Sequence, residues 1–230
     1  MKIDRVVLTG ADMSTNYEDL FSLGEKYPFV EFGILFSKSQ EGMGKYPTLP
    51  WIMKLSEENE KRNMSLKLSA HFCGWWSRQI FEEENFGLMT ILSGFSRVQL
   101  NYNFERSSKY TIDPLVEHMR NFTDQSIILQ YNKYNSKEID NLLNGDIPKN
   151  LNILYDSSGG TGKLINQISP PFKCYTGYSG GIGPDNIKEI TESIINTNID
   201  ATVFIDMENK IRTNDIFDLD KCEIVLKNFL

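Results

Sequence analysis

Eight short apolar runs, each closed by Gly, Ser, Asp or Asn, alternate with amphipathic segments along 230 residues, and Gly-Gly stretches follow the sixth and seventh runs. These observations predict an α/β chain folded as a single (β/α)8 TIM barrel, with residues 1–230 forming one domain. Alternation of this kind specifies parallel strands joined by crossover helices. A doubly wound dinucleotide-binding sheet also alternates, but it expects G-x-G-x-x-G after its first strand, where Thr9-Gly10-Ala11-Asp12 offers one glycine.

In chain order the strands are expected at residues 3–9, 29–36, 66–71, 97–101, 126–130, 152–156, 173–178 and 202–206. The helices are expected at 17–26, 50–62, 75–83, 113–122, 136–144, 184–195 and 218–229. The helix over 184–195 carries Pro184 just inside its start and Asp185 in its first turn, as helix N-termini prefer. The interval 159–171 is short and ends in Ser169-Pro170-Pro171, so the sixth helix is expected to be short or irregular. In the last helix, 3.6-residue spacing sets Cys222 beside the apolar stripe, which predicts burial. His118, among charged neighbours on its helix, is expected to face solvent.

A hydrophobic fraction of 40% with 24% charged residues describes a globular chain able to bury a full core. The net charge of -7 and a pI near 5.0 argue against nucleic acid, and no basic stripe with interleaved aromatics is present. No apolar run approaches the roughly eighteen residues of a membrane span, and Met1-Lys2-Ile3-Asp4-Arg5 runs directly into a strand. A cytoplasmic protein without a membrane partner, monomeric or homodimeric, is therefore expected. Cys73, Cys174 and Cys222 are odd in number and lack metal-ligand spacing, so neither a disulfide framework nor a structural metal is expected, and no cofactor motif appears.

Barrel enzymes keep their chemistry at the C-terminal ends of the strands. Here those ends are polar. Strand parity sets Gln99 and Asn101 on one face and Val98 and Leu100 on the other, and it aligns Ser69 with His71, Ile128 with Gln130, Leu154 with Asp156, and Phe204 with Asp206. One rim would gather Thr9, His71, Gln99, Asn101, Gln130, Asp156 and Asp206, a set able to move protons and bind hydroxyls. A single polar strand end often does no more than hold the following loop. Gly159-Gly160 and Gly180-Gly181 each follow a strand and expose backbone N–H groups, which suits phosphate. Trp75 and Trp76 fit a core, a lid or a subunit contact equally.

At these residues the chain resembles phosphoribosylanthranilate isomerase, a (β/α)8 barrel of the ribulose-phosphate-binding group that performs an Amadori rearrangement in tryptophan biosynthesis. Val98-Gln99-Leu100 is similar to that family's V-Q-L-H-G, and Leu154-Tyr155-Asp156 with Gly159-Gly160-Thr161-Gly162-Lys163 to its L-L-D and G-G-T-G-K. Gly180-Gly181-Ile182-Gly183-Pro184-Asp185-Asn186 is similar to G-G-L-T-P-E-N, and Ile205-Asp206 to the start of V-D-V-S-S-G-V-E. The resemblance implies a phosphorylated sugar or sugar-derived metabolite as ligand, Asp156 as the general acid that opens the ribose ring, and Gly180 and Gly181 as phosphate-binding backbone. The tandem glycine stretches add Gly159 and Gly160 to the expected phosphate site, with Asn209 beside them, and strand-end parity assigns Gln99, Asn101, Gln130 and Asp206 to the substrate.

Three departures stand out. The family's K-I-C-G-I-T becomes Val7-Leu8-Thr9-Gly10-Ala11-Asp12, which puts Thr9 where the catalytic cysteine base belongs. A threonine hydroxyl does not ionise near neutral pH, so His71 is the expected substitute base. The segment 37–47 replaces S-x-R without an arginine, leaving Lys45 or Lys38 to supply the charge, and Glu208 enters the eighth-strand motif beside the expected phosphate. A non-catalytic phosphometabolite-binding barrel is the alternative, and a metal-assisted lyase or hydrolase using Asp156, Asp206, Glu208 and His71 is the third reading.

Overall fold

The computed structural model describes residues 1–80, 91–106, 111–122, 124–156 and 168–230. Among the described residues eight strands form the barrel, β1 (Lys2–Thr9), β2 (Val30–Ser37), β3 (Lys67–Cys73), β4 (Arg97–Asn101), β5 (Ser126–Tyr131), β6 (Leu151–Asp156), β7 (Tyr175–Ser179) and β8 (Thr202–Met207), and a short antiparallel ladder pairs Arg212–Thr213 with Ile216–Phe217. Each barrel strand pairs in parallel with its sequence neighbour, and β8 returns to β1, closing the barrel. Closure leaves none of the eight barrel strands with an open edge.

The strand bodies are apolar because both faces are covered. Outward residues such as Val98 and Leu100 join the main core with helix residues Leu20, Ile52, Leu115, Ile139, Ile190 and Val225. Inward residues Val7, Ile128, Leu154 and Phe204 form a second, smaller cluster that plugs the lumen. Gly177 makes room for that plug, since a Cβ there would sit 2.3 Å from the Phe204 ring. Toward the N-terminal floor, Glu31 is fully buried between two arginines, with Arg5 Nη1 at 2.7 Å and Arg97 Nη2 at 3.0 Å. The Arg97 guanidinium lies 4.2 Å from the centre of the Phe204 ring.

Helices cover the outside at Tyr17–Lys26, Leu49–Lys61, Trp75–Gln79, Ile112–Asn121, Ser136–Leu143, Ile187–Ile195 and Leu219–Leu226. Three of these helices start on a side-chain cap: the Asn16, Thr48 and Asp218 side chains accept from the backbone N–H of Glu18, Trp51 and Lys221. The helix expected over 184–195 begins at Ile187, because residues 183–186 make a turn instead. In that turn Gly183 O accepts from the N–H of Asn186 and Ile187, while Asn186 Oδ1 accepts from Gly183 N–H at 2.9 Å. Pro184 therefore starts a turn and not a helix. The last helix tightens into a 3-10 turn over Lys227–Phe229.

The sixth-helix expectation falls mostly on residues 157–167, outside the described residues, as do Gly159 and Gly160; residues 168–174 hold no helix. His118 is half-buried, not solvent-facing, because its Nδ1 lies 2.8 Å from Ile80 O. Cys222 is fully buried, as its spacing predicts. Trp76 packs against the core beside Phe36 and Phe72, and Trp75 stands edge-on to it under the Lys38 ammonium.

Candidate active site

Above the Phe204 plug, the C-terminal strand ends enclose a cavity of about 370 Å³, within the usual size of a small-molecule site. Parity puts the polar ends there. His71 comes from β3, Gln99 and Asn101 from β4, Gln130 from β5, Asp156 from β6 and Asp206 from β8. Gln99 Nε2 donates to Asn101 Oδ1 at 3.0 Å, as two residues on one strand face permit. Asp156, Ser179 and Asp206 share one register level across β6, β7 and β8. Two inter-strand steps of roughly 4.8 Å set the two acidic residues' Cα atoms about 10 Å apart.

The turn after β7 forms one wall. Gly180 and Gly181 have φ of 119° and 63°, a region open to glycine and costly for other residues, and both line the cavity with Ile182. Asn209 and Lys210, from the short turn after β8, line the same side. Gly183 backs this contact, since a Cβ there would lie 2.3 Å from Lys210 Cβ.

Thr9 stands behind the wall. It donates through Oγ1 to Asp206 Oδ1 at 2.7 Å, and it pairs in register with Gly33. A Cβ on Gly33 would come 2.3 Å from Thr9 Oγ1 and 2.8 Å from His71 Cε1, so only glycine lets both side chains sit as they do. Lys45 does not line the cavity; its ammonium is paired with Glu208, which does. That pair neutralises the glutamate the sequence places beside the expected phosphate.

Burial divides the titratable groups. His71, 1% exposed with Nε2 3.0 Å from Ser69 Oγ, is held down to about 3 by desolvation and then by the Arg97 charge, which makes it a weak proton acceptor. Asp206 moves the other way. Desolvation pushes it up to about 7, opposed by the Thr9 hydrogen bond and reinforced by Glu208. Burial also raises the Cys73 thiol to about 11, so it is not a ready nucleophile. Among the described residues, no group of three or more His, Cys, Asp or Glu gathers as a metal site.

Several solved structures share this architecture. The chain aligns over 99% of its length with 98% of a phosphoribosylanthranilate isomerase from Thermotoga maritima, at 19% identity and a TM-score of 0.59. The fold is that of phosphoribosylanthranilate isomerase. The N-(5'-phosphoribosyl)anthranilate isomerase of Pyrococcus furiosus aligns over 97% of both chains at 11% identity, with a TM-score of 0.57. A citrate lyase from Burkholderia xenovorans LB400 is similar over 99% of this chain and 77% of that one, at 6% identity and a TM-score of 0.59. Neither a protein-family profile nor a curated protein sequence matches the chain. The shared barrel thus extends to proteins of different named activities, so the chemistry has to be argued from the mouth itself.

Sequence reasoning missed Tyr102, Asn103, Asn132, Tyr134, Ser179 and Lys210, all of which line the cavity. Asn103 and Asn132 lie two residues beyond Asn101 and Gln130, so continuing the alternation past the strand ends finds them. Lys210 carried no such signal, because it follows a change from strand to 3-10 turn. Among the described residues it is the one lysine or arginine lining the cavity. No described helix is long and apolar enough to cross a membrane.

Proposed function

We propose that the mouth binds a phosphorylated sugar or sugar-derived metabolite and isomerises it by acid–base chemistry. The observation that carries this reading is the β6–β8 arrangement: the two acidic residues share one register level, beside the Gly180-Gly181 turn and Lys210. Loops after the seventh and eighth strands are the common phosphate site of such barrels. Asn209 and Lys210 would assist the glycine backbone there, with Gln99, Asn101 and Gln130 placed to bind sugar hydroxyls. Asp156, 4% exposed, is the proton donor of this reading: it protonates the ring oxygen so that the sugar opens.

The substrate that the resemblance points to, phosphoribosylanthranilate, tests the reading through the change in its fluorescence on rearrangement. We expect turnover by the full chain and a loss of 10²-fold or more in kcat for Asp156→Asn. An Asp156→Asn variant with wild-type kcat would remove the acid role. Thr9 at the cysteine position favours a second reading, a barrel that binds the phosphometabolite without converting it. Calorimetry with inorganic phosphate and ribulose phosphate separates them, because saturable binding without turnover supports the second.

A further inference from the structure

A barrel that moves a proton from carbon needs an acceptor, and β1 supplies none: Thr9 does not ionise near neutral pH. What Thr9 does instead is hold a carboxyl. We propose that Asp206, fixed in place by the Thr9 hydroxyl, is the proton acceptor of this mouth, so that the base has moved from β1 to the adjacent β8. The inference rests on reading the mouth as an acid–base isomerase site.

The geometry carries it. Asp206 lines the cavity at the level of Asp156, while its Oδ1 accepts from Thr9 at 2.7 Å, which leaves Oδ2 to take a proton. Gly33 provides the room that brings Thr9 up to the carboxyl. The ionisable groups around Asp206 are Glu31 on β2, the His71 ring on β3, Arg97 on β4, Asp156 on β6, and Glu208 and Lys210 beyond β8, with Lys45 closing on Glu208. Glu31 is itself paired with Arg5 and Arg97, so the Arg97 charge acting on Asp206 is largely compensated. Burial then holds Asp206 at about 7, where a general base is most effective at neutral pH. His71, at about 3, is far weaker, and its uncharged ring fills the wall.

The step balances as follows. The C–H bond beside a carbonyl or iminium carbon breaks, and its electron pair forms a carbon–carbon double bond. The former double-bond pair settles on oxygen or nitrogen, and Asp206 Oδ2 takes the proton to become a neutral carboxyl. Return of a proton from that carboxyl to the former carbonyl or iminium carbon uses the carbon–carbon double-bond pair and restores the carboxylate. The hydroxyl on the first carbon becomes the new carbonyl, and its proton passes to the oxygen that took the former double-bond pair or, in the iminium case, to solvent.

Carbon-13 NMR of full-length protein labelled at aspartate carboxyls decides this without a substrate. One carboxyl is expected to titrate near pH 7 and to vanish in Asp206→Asn. In Thr9→Val its midpoint is expected to rise by about one pH unit or more, since the lost donor favoured the charged form. An Asp206 carboxyl titrating near 4, or unmoved in Thr9→Val, would overturn the assignment. With phosphoribosylanthranilate, Asp206→Asn is expected to lose 10²-fold or more in kcat with KM changed only a few-fold, whereas retained kcat would overturn it too. Wild-type protein that fails to turn over this probe counts against the proposed reaction, and the NMR titration still decides the state of Asp206.

Discussion

Gly33→Ala is a small change with a large expected effect. No positive φ is needed at Gly33, so alanine fits the backbone there and the cost is purely steric. The new Cβ would lie 2.3 Å from Thr9 Oγ1 and 2.8 and 2.9 Å from His71 Cε1 and Nε2. These neighbours are 1% exposed each, so the new Cβ overlaps packed atoms. Overpacking of this kind costs about 1–3 kcal/mol. Forcing Thr9 away also breaks its bond to Asp206, adding about 1–2 kcal/mol. A total of roughly 3 kcal/mol in a chain of this length lowers the thermal midpoint by about 6–12 °C. Scanning calorimetry measures it directly. Because the tightest clash is with Thr9 Oγ1, Thr9→Ala relieves it, and the double variant should lose less than the sum of the single losses. Strict additivity, or a Gly33→Ala midpoint within about 2 °C of wild type, would refute the argument.

Three further outcomes are expected. Asp206 has a folded value of about 7 against an ordinary 3.8, so its contribution to stability is fully present below pH 4 and is lost as pH rises through 7. At 1.36 kcal/mol per pH unit the gap is worth up to about 4 kcal/mol, and urea unfolding of Asp206→Asn at pH 5 and pH 8 should show a flatter pH dependence than wild type. Arg97→Met strands part of the charge on fully buried Glu31 and should cost about 3 kcal/mol in urea unfolding while letting the His71 titration rise; an unchanged urea midpoint would count against the floor ion pair. Lys210→Gln should weaken calorimetric binding of inorganic phosphate several-fold and flatten its salt dependence, and equal affinity would remove Lys210 from the anion site.

The strand positions were legible because a barrel strand is apolar in its body and polar at its mouth, and six of the eight runs supplied a polar mouth residue. Gln99 and Asn101 fell on the expected face because strand parity has a period of two and tolerates no drift. The helix start at Ile187 was misread because Pro184 suits a turn as well as a first helical position, and Asn186 bonding to Gly183 and Gly181 decides between them. His118 was misplaced because helical spacing reports which face a side chain takes but not that Ile80 O waits beside it.

From its sequence alone, this chain's barrel, its polar mouth and the threonine at position 9 could be read, since periodicity and residue identity are local properties. The tertiary structure decided which of the mouth's groups can hold a charge. Thr9 and Asp206 stand 197 positions apart in the chain and meet only because β8 closes against β1. The burial that lifts Asp206 and suppresses His71 exists only once eight strands have excluded water from the lumen.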